Sequence, residues 1–300
     1  MTRPTLCVAI PTYLREQVLV ATIRQVLRQQ PVPDEILVVD QTPFHDAETE
    51  IFLSENHGRG LIRHLHQGEP SLTKARNRIL AEAKSEVVIF IDDDVELPQG
   101  YVAAHAANYE DSSVKLVAGT VLSRQQLDAH LRDLGNSSDV RAADSPGDVR
   151  GANHSVWRAT AIAAGGYDEN FIGSALGEEE DFSIRLGEQC GEKQIYDPKS
   201  WLIHLRSPTG GCRIANNPAW SEWQKTLSIW LFGFRHHWRH PKLSVLTAFR
   251  VGPGRKENIL HPWRQPFAWL SFFYAAFVAL KKVNHVVSPF TMEGHTKKRD

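Results

Sequence analysis

The sequence predicts an α/β protein with a mostly parallel central sheet, helices on both faces, and a helical, aromatic and basic C-terminal extension. Three observations lead there. Short apolar runs of strand length end in acids, at Val39-Asp40 and Ile91-Asp92. Stretches of helical spacing separate those runs. Val87-Val88-Ile89-Phe90-Ile91 is apolar without alternation, the pattern of a strand covered on both faces.

The elements follow in order. Leu6 to Ile10 reads as a first strand, stopped by Pro11-Thr12. Arg15 to Gln30 has helical spacing, with Val18, Ala21, Ile23, Val26 and Leu27 apolar. Glu35 to Asp40 is a second strand, so the opening is a βαβ unit. Leu61 to Leu65 is a short strand candidate, Leu72 to Lys84 a helix, and Val87 to Ile91 the central strand. Residues 99–113 look helical and Lys115 to Leu122 extended. Asp133 to Asp148, rich in Ser, Asp, Gly and Pro, reads as a mobile loop, either a lid or a surface excursion. A short helix precedes Gly165-Gly166-Tyr167, which suggests a tight turn. Gln194 to Pro198 and Trp201 to His204 form a strand pair or a strand and turn.

Composition sets outer bounds. The 300 residues, 42% hydrophobic and 23% charged, fit an ordinary globular protein. A net charge of -1 hides an asymmetry: twelve Lys or Arg stand against three acids from Arg235 onward. An acidic body with a basic tail suggests different partners for the two parts, and nucleic acid is not expected. Cys7, Cys190 and Cys212 form no CxxC pair, which favours a reduced, cytoplasmic setting. The first apolar run is too short for a signal peptide, and no uninterrupted apolar stretch is long enough to span a membrane. The sequons at Asn136 and Asn153 carry no weight in that setting.

The chemistry concentrates where strands end. Asp92, Asp93 and Asp94 would be costly inside the sheet, so they belong at its carboxyl edge, where α/β proteins bind ligands. Acids there can hold a hard divalent cation, which would neutralise a diphosphate. They also serve simply as turn formers, and both readings stand at this point. Neither GxGxxG nor GxxxxGK[ST] is present, so a dinucleotide site or P-loop is not expected. A second acid cluster, Glu178-Glu179-Glu180-Asp181, fits a helix N-terminus. Four adjacent acids repel one another, and a carboxylate among like charges is suited to proton removal. His204 ends its apolar run as the acids end theirs.

Taken together, these motifs resemble family 2 of the inverting nucleotide-sugar glycosyltransferases, with the GT-A fold. The resemblance rests on their order: Val-Ala-Ile-Pro-Thr-Tyr, Val-Val-Asp, Lys-Ala-Arg-Asn, Ile-Asp-Asp-Asp, Gly-Ala-Asn, Gly-Gly-Tyr-Asp, the acid cluster with Phe-Ser-Ile-Arg-Leu, and His204. It covers about residues 5 to 206. The resemblance implies that Pro11, Thr12 and Tyr13 contact the nucleotide, Asp40 its base or ribose, and Arg76 the base or phosphates. Asp92, Asp93 and Asp94 match the DxD motif, with Asp92 toward the ribose and Asp94 on Mn²⁺ or Mg²⁺. His204 matches a residue completing the metal and diphosphate site. Gly151, Ala152 and Asn153 would line the sugar pocket. The base position falls on Glu179, where relatives usually carry Asp, with Asp181 as the second candidate.

The activity so implied is transfer from a UDP-, GDP- or dTDP-sugar to a hydroxyl of a glycan or lipid-linked acceptor. A nucleotidyltransferase acting on sugar phosphates is the main alternative, though Pro11-Thr12-Tyr13 lacks the glycines expected of it. A non-catalytic nucleotide-sugar binding relative is the other.

The expected division is a catalytic domain at residues 1–215 and a helical extension at 216–300. Phe267 to Leu280 runs fourteen residues without charge and then meets Lys281-Lys282. That run suits a membrane interface at the inner face of the cell membrane. Packing on the catalytic domain, or pairing two subunits as a homodimer, explains it equally well.

Overall fold

The structure, a computed structural model, describes residues 3–136, 140–143, 148–190, 193–211, 218–236 and 241–291. The chain forms two compact units. Unit 1 takes Met1–Pro70, Arg78–Ala164 and Ser183–Gly211; unit 2 takes Ser71–Asn77, Gly165–Phe182 and Cys212–Asp300. The linear division expected at 215/216 lies close to the end of unit 1, but Ser71–Asn77 and Gly165–Phe182 cluster with the C-terminal helices.

The first third of the chain alternates strand and helix: β1 (Leu6–Thr12), α1 (Gln17–Leu27), β2 (Glu35–Asp40), α2 (Ala47–Gly58), β3 (Arg63–His66), α3 (Leu72–Glu82) and β4 (Val87–Ile91). Then come β5 (Val95–Glu96), α4 (Tyr101–Asn108), β6 (Val114–Leu122), α5 (Leu127–Asn136), β7 (Arg141–Ala142), β8 (Asn153–Trp157) and α6 (Arg158–Ala163). The rest comprises α7 (Glu178–Cys190), β9 (Lys193–His204), α8 (Pro218–His236), α9 (Pro241–Val251), α10 (Lys256–Leu260) and α11 (Gln265–Lys282).

Among the described residues, unit 1 holds one nine-stranded sheet in the order β3-β2-β1-β4-β8-β6-β9-β5, with β7 on β9. The β3-β2-β1-β4 half is parallel. β8 enters antiparallel between β4 and β6, and β6 pairs parallel with β9. The α/β class stands, and the sheet is mixed beyond β4.

β1 and β4 are buried along their whole length, which is why neither alternates in sequence. From α1, Leu19, Ile23 and Val26 recur at helical spacing and pack into the core formed with Leu6, Val8, Ile10, Ile36 and Val87.

Several expectations need correction. Gln194–Pro198 and Trp201–His204 are one strand, β9, whose register against β6 shifts between Gly119 and Thr120. The segment read as a loop from Asp133 begins inside α5 and includes the two-residue strand β7. Its residues 137–139 and 144–147, part of the Asn136 sequon among them, lie outside the described residues, as do Cys212 and the basic His237 and Arg239. α2 escaped detection because its apolar positions do not form a stripe: only Thr49, Leu53 and Asn56 are buried.

Unit 2 is built on α8, α9 and α11. Its core joins Phe171 and Ala175 to Leu227, Trp230, Leu231, Ala248, Phe272, Ala275 and Ala279.

Candidate metal and nucleotide site

The carboxyl ends of β1, β2 and β4, and the end of β9, bring the titratable groups of unit 1 together. β5 pairs antiparallel with β9, placing Val95 opposite His204. This pairing sets His204 beside the aspartates, which lie immediately before β5. His204 Nε2 is 3.2 Å from Asp92 Oδ2 and 3.0 Å from Asp94 Oδ1. Asp92, Asp94 and His204 each offer a ligand atom, all within 4.8 Å of one another. Two carboxylate oxygens and an imidazole nitrogen suit Mn²⁺ or Mg²⁺.

Electrostatics already favours a cation here. Burial pushes the His204 pKa down, but hydrogen bonds to Asp92 and Asp94 outweigh it and raise it to about 9. The imidazolium is held by the same carboxylates that a metal would use. Ligation needs neutral imidazole, so loading a cation would release a proton. Asp94 is pulled below the usual carboxylate range: burial opposes ionisation, but the His204 contact and the Ser207 N–H (2.7 Å to Oδ2) win.

Arg15 was not anticipated. Its buried guanidinium reaches Asp93 (Nε to Oδ1, 3.1 Å) and Asp94 (3.2 Å), so one cation clamps two of the three acids. Thr12 donates its hydroxyl to the other Asp93 oxygen at 2.7 Å. Burial still dominates at Asp93 and raises its pKa to about 7, against the pull of Arg15 and Thr12. Asp93 therefore points into a protein-made cradle, whereas Asp92 and Asp94 share His204.

The cradle is tied together by backbone. Leu14 and Arg206, both non-glycine, adopt φ of 53° in the loops on either side of it. Such conformations are costly outside glycine and persist where surroundings enforce them. The Gly211 N–H bonds Tyr13 O at 2.7 Å. A Cβ on Gly210 would sit 2.2 Å from Leu14 O, so only glycine allows this approach.

Asp40, at the end of β2, accepts from the Thr42 N–H through Oδ1 (2.8 Å) and from His45 and His64 through Oδ2 (2.6 and 2.9 Å). His45 Nδ1 donates in turn to Glu16 at 3.0 Å. The Asp40 hydrogen bond chiefly raises the His45 pKa to about 9. Burial pushes Asp40 upward, but the two histidines reverse this and leave it well below the usual carboxylate range. Neither histidine carried a sequence signal, because each becomes relevant only through the β2–β3 pairing and the turn after β2.

The Asn153 side chain, expected in a sugar pocket, is wholly buried. Its amide donates to Thr120 O and Ser200 O, and its oxygen accepts from Tyr101 and His105. Those four bonds saturate the carboxamide. The half-buried Gly151 and Ala152 remain on offer. Pro11 is buried and Tyr13 half-buried.

The second acid cluster lies in unit 2 and divides by helix geometry. Glu178 and Asp181, three residues apart on α7, share a buried face with Phe182. Glu178 pairs with Arg76, itself 1% exposed and 5.3 Å over the Tyr167 ring. Arg76 is thus committed within unit 2. Asp181 binds Arg235 at 2.8 Å and His236 at 2.9 Å, and Arg235 also takes Asp168 at 2.8 Å. Glu179, turned about 100° from Glu178, is half-buried and makes no hydrogen bond or ion pair among the described residues.

A mixed sheet with an Asp-x-Asp and a histidine converging at its carboxyl edge defines a GT-A-type domain. Residues 7–149 match the model of Glycosyl transferase family 2. Over 183 residues the chain is 27% identical to the pre-mycofactocin glycosyltransferase of Mycobacterium tuberculosis (strain CDC 1551 / Oshkosh), covering 56% of this chain. The match spans only 37% of that relative's length. Among solved structures, a mannosyltransferase from Pyrobaculum calidifontis in complex with GDP-Man and Mn²⁺ aligns with TM-score 0.55 at 18% identity, covering 94% of this chain and 79% of that one. GalNAc-T7 with UDP, GalNAc and Mn²⁺ aligns with TM-score 0.56 at 16% identity, covering 83% and 54%.

Proposed function

We propose that this protein is a divalent-metal-dependent, inverting glycosyltransferase. It would move a sugar from a nucleoside-diphosphate donor to a hydroxyl of a glycan or lipid-linked acceptor. The observation that carries this reading is the convergence of Asp92, Asp94 and His204 at the ends of β4 and β9. Asp94 and His204 would hold Mn²⁺ or Mg²⁺, with Asp92 in reach of the ribose or the ion. A bound cation there supplies Lewis-acid stabilisation of the charge building on the departing diphosphate. The solved relatives bound to GDP-Man or UDP with Mn²⁺ support a nucleotide-sugar donor as the partner.

The chain's own groups divide the remaining work. Arg15 holds Asp93 and Asp94 in place and keeps three adjacent acids compatible with the fold. Thr12 and Tyr13 present the first loop, and Asp40 with its two histidines forms the end of β2, where the base or ribose would lie. Glu179 would take the proton from the acceptor hydroxyl. It is the half-buried carboxylate of its cluster with no committed protein partner among the described residues. A single displacement aided by such a base inverts the anomeric centre.

The test is donor turnover. Purified protein with Mn²⁺ is expected to release nucleoside diphosphate from one member of a UDP-, GDP- and dTDP-sugar panel. EDTA should abolish release, and Asp94→Ala should lower it at least about a hundredfold. Metal-dependent turnover that survives intact in Asp94→Ala would overturn the assignment.

A further inference from the structure

The helix α11 is packed in reverse of the usual order. Its inward stripe is mostly small: Ala268, Ala275 and Ala279 with the single ring of Phe272. The large apolar side chains face out. Phe267 is 75% exposed, Leu270 69%, and Phe273, Tyr274, Phe277 and Leu280 are all more than half exposed. Their spacing of three and four residues places them along one side of the helix. A helix that only served the core of unit 2 would bury its rings and expose its alanines. The segment leading into it adds Ile259, Leu260 and Trp263, each also mostly exposed. That segment is fastened to the helix start by Gln265, whose amide donates to Pro253 O and Asn258 O.

The charges decide what covers this face. Between Arg264 and Lys281 there is no charged residue, and the helix closes on Lys281-Lys282. Lys281 Nζ lies 4.3 Å over the Phe277 ring, with its stem along the apolar face and its ammonium at the end. Lys282 turns the other way and donates to Asn170 Oδ1 at 2.8 Å, so two copies pairing through the face would set Lys281 against Lys281 in a parallel pair, or against the Arg264 end in an antiparallel one. No acid lies between residues 264 and 282 to offset that repulsion. A bilayer with anionic headgroups satisfies both features. Its acyl boundary takes the rings, its phosphates take Lys281, and Trp and Tyr rings favour the level between. Among the described residues no helix is long and apolar enough to cross a membrane, so the helix would lie in the interface.

We propose that the outward side of α11 is a monotopic membrane-binding face that rests on anionic phospholipid. The proposal stands apart from the glycosyl-transfer reading, since it uses none of the site residues.

Flotation of the full chain with phosphatidylcholine vesicles, with and without about one third phosphatidylglycerol, tests it. The wild type is expected to float with the anionic vesicles and less with the neutral ones. The variant Leu270→Ser/Phe273→Ser/Phe277→Ser, all exposed positions, should lose flotation at least about tenfold while its thermal melting and its donor turnover in solution stay as in wild type. Absence of flotation on either vesicle, or equal flotation of the variant, would overturn the proposal. So would a wild-type dimer by analytical ultracentrifugation that the variant dissolves without any vesicle binding, which would assign the face to a second copy.

Discussion

Asp181 and Glu179 differ by two residues, and the structure assigns them opposite fates on substitution. Asp181→Asn removes the charge that faces Arg235 at 2.8 Å and His236 at 2.9 Å, in a position with no solvent exposure. Breaking a buried pair costs about 3–5 kcal/mol, because the remaining charge stays desolvated. Here Arg235 keeps Asp168, so the lower end applies, about 3 kcal/mol. With an unfolding entropy of about 2.1 cal/mol/K per residue over 300 residues, that is a fall of about 5 °C in melting temperature. Glu179→Gln touches no such network and should change stability by less than about 0.5 kcal/mol. Its effect should appear in transfer, which is expected to fall about 10²- to 10⁴-fold with donor binding retained. Thermal melting, donor-induced thermal shift and transfer to an added acceptor measure the three quantities on each variant. A stable but inactive Asp181→Asn beside an active Glu179→Gln would refute the reasoning and move the base to Asp181.

Two further outcomes follow from unit 1. The charged His45–Asp40 pair should stabilise the native state over a defined pH window. His45 has a folded pKa raised from 6.5 to about 9, so its contribution is full below about 6.5 and is lost as pH rises through 9. Asp40 is lowered, so its share is present above 3.8 and fades as pH falls. Denaturant titrations should therefore show wild type exceeding His45→Gln by about 2 kcal/mol near pH 5, with the gap closing above pH 9; a gap that widens with pH would contradict the pairing. Gly119→Ala should cost about 3 kcal/mol, since its Cβ would lie 2.1 Å from Ser200 O and 2.4 Å from the Asn153 amide; unchanged stability in the same titration would show that β6 and β9 can separate there freely.

The sequence alone determined the α/β class and the edge of the sheet that carries the acids. Both follow from short-range rules: a strand buried on both faces must be apolar throughout, and charges must leave it where it ends, as Val87 to Asp94 does. The resemblance named Asp94 and His204 together, and the structure places them 3.0 Å apart. Only the tertiary structure decided which polar groups are already spoken for. Arg15 reads as the start of a helix until it folds across 78 residues onto Asp93. His45 and His64 read as ordinary histidines until the turn after β2 brings in the first and the pairing of β3 with β2 the second, closing both on Asp40. Within Glu178 to Asp181 the four acids look alike in sequence; helical phase and the approach of Arg76 and Arg235 separate the paired ones from Glu179. Composition likewise marked α11 as apolar, but packing within unit 2 decided that Ala268, Phe272, Ala275 and Ala279 turn inward and the other large side chains outward. Strand and helix patterns are written in neighbouring residues, whereas neutralisation of a buried charge depends on partners tens of residues away, and that is settled by packing.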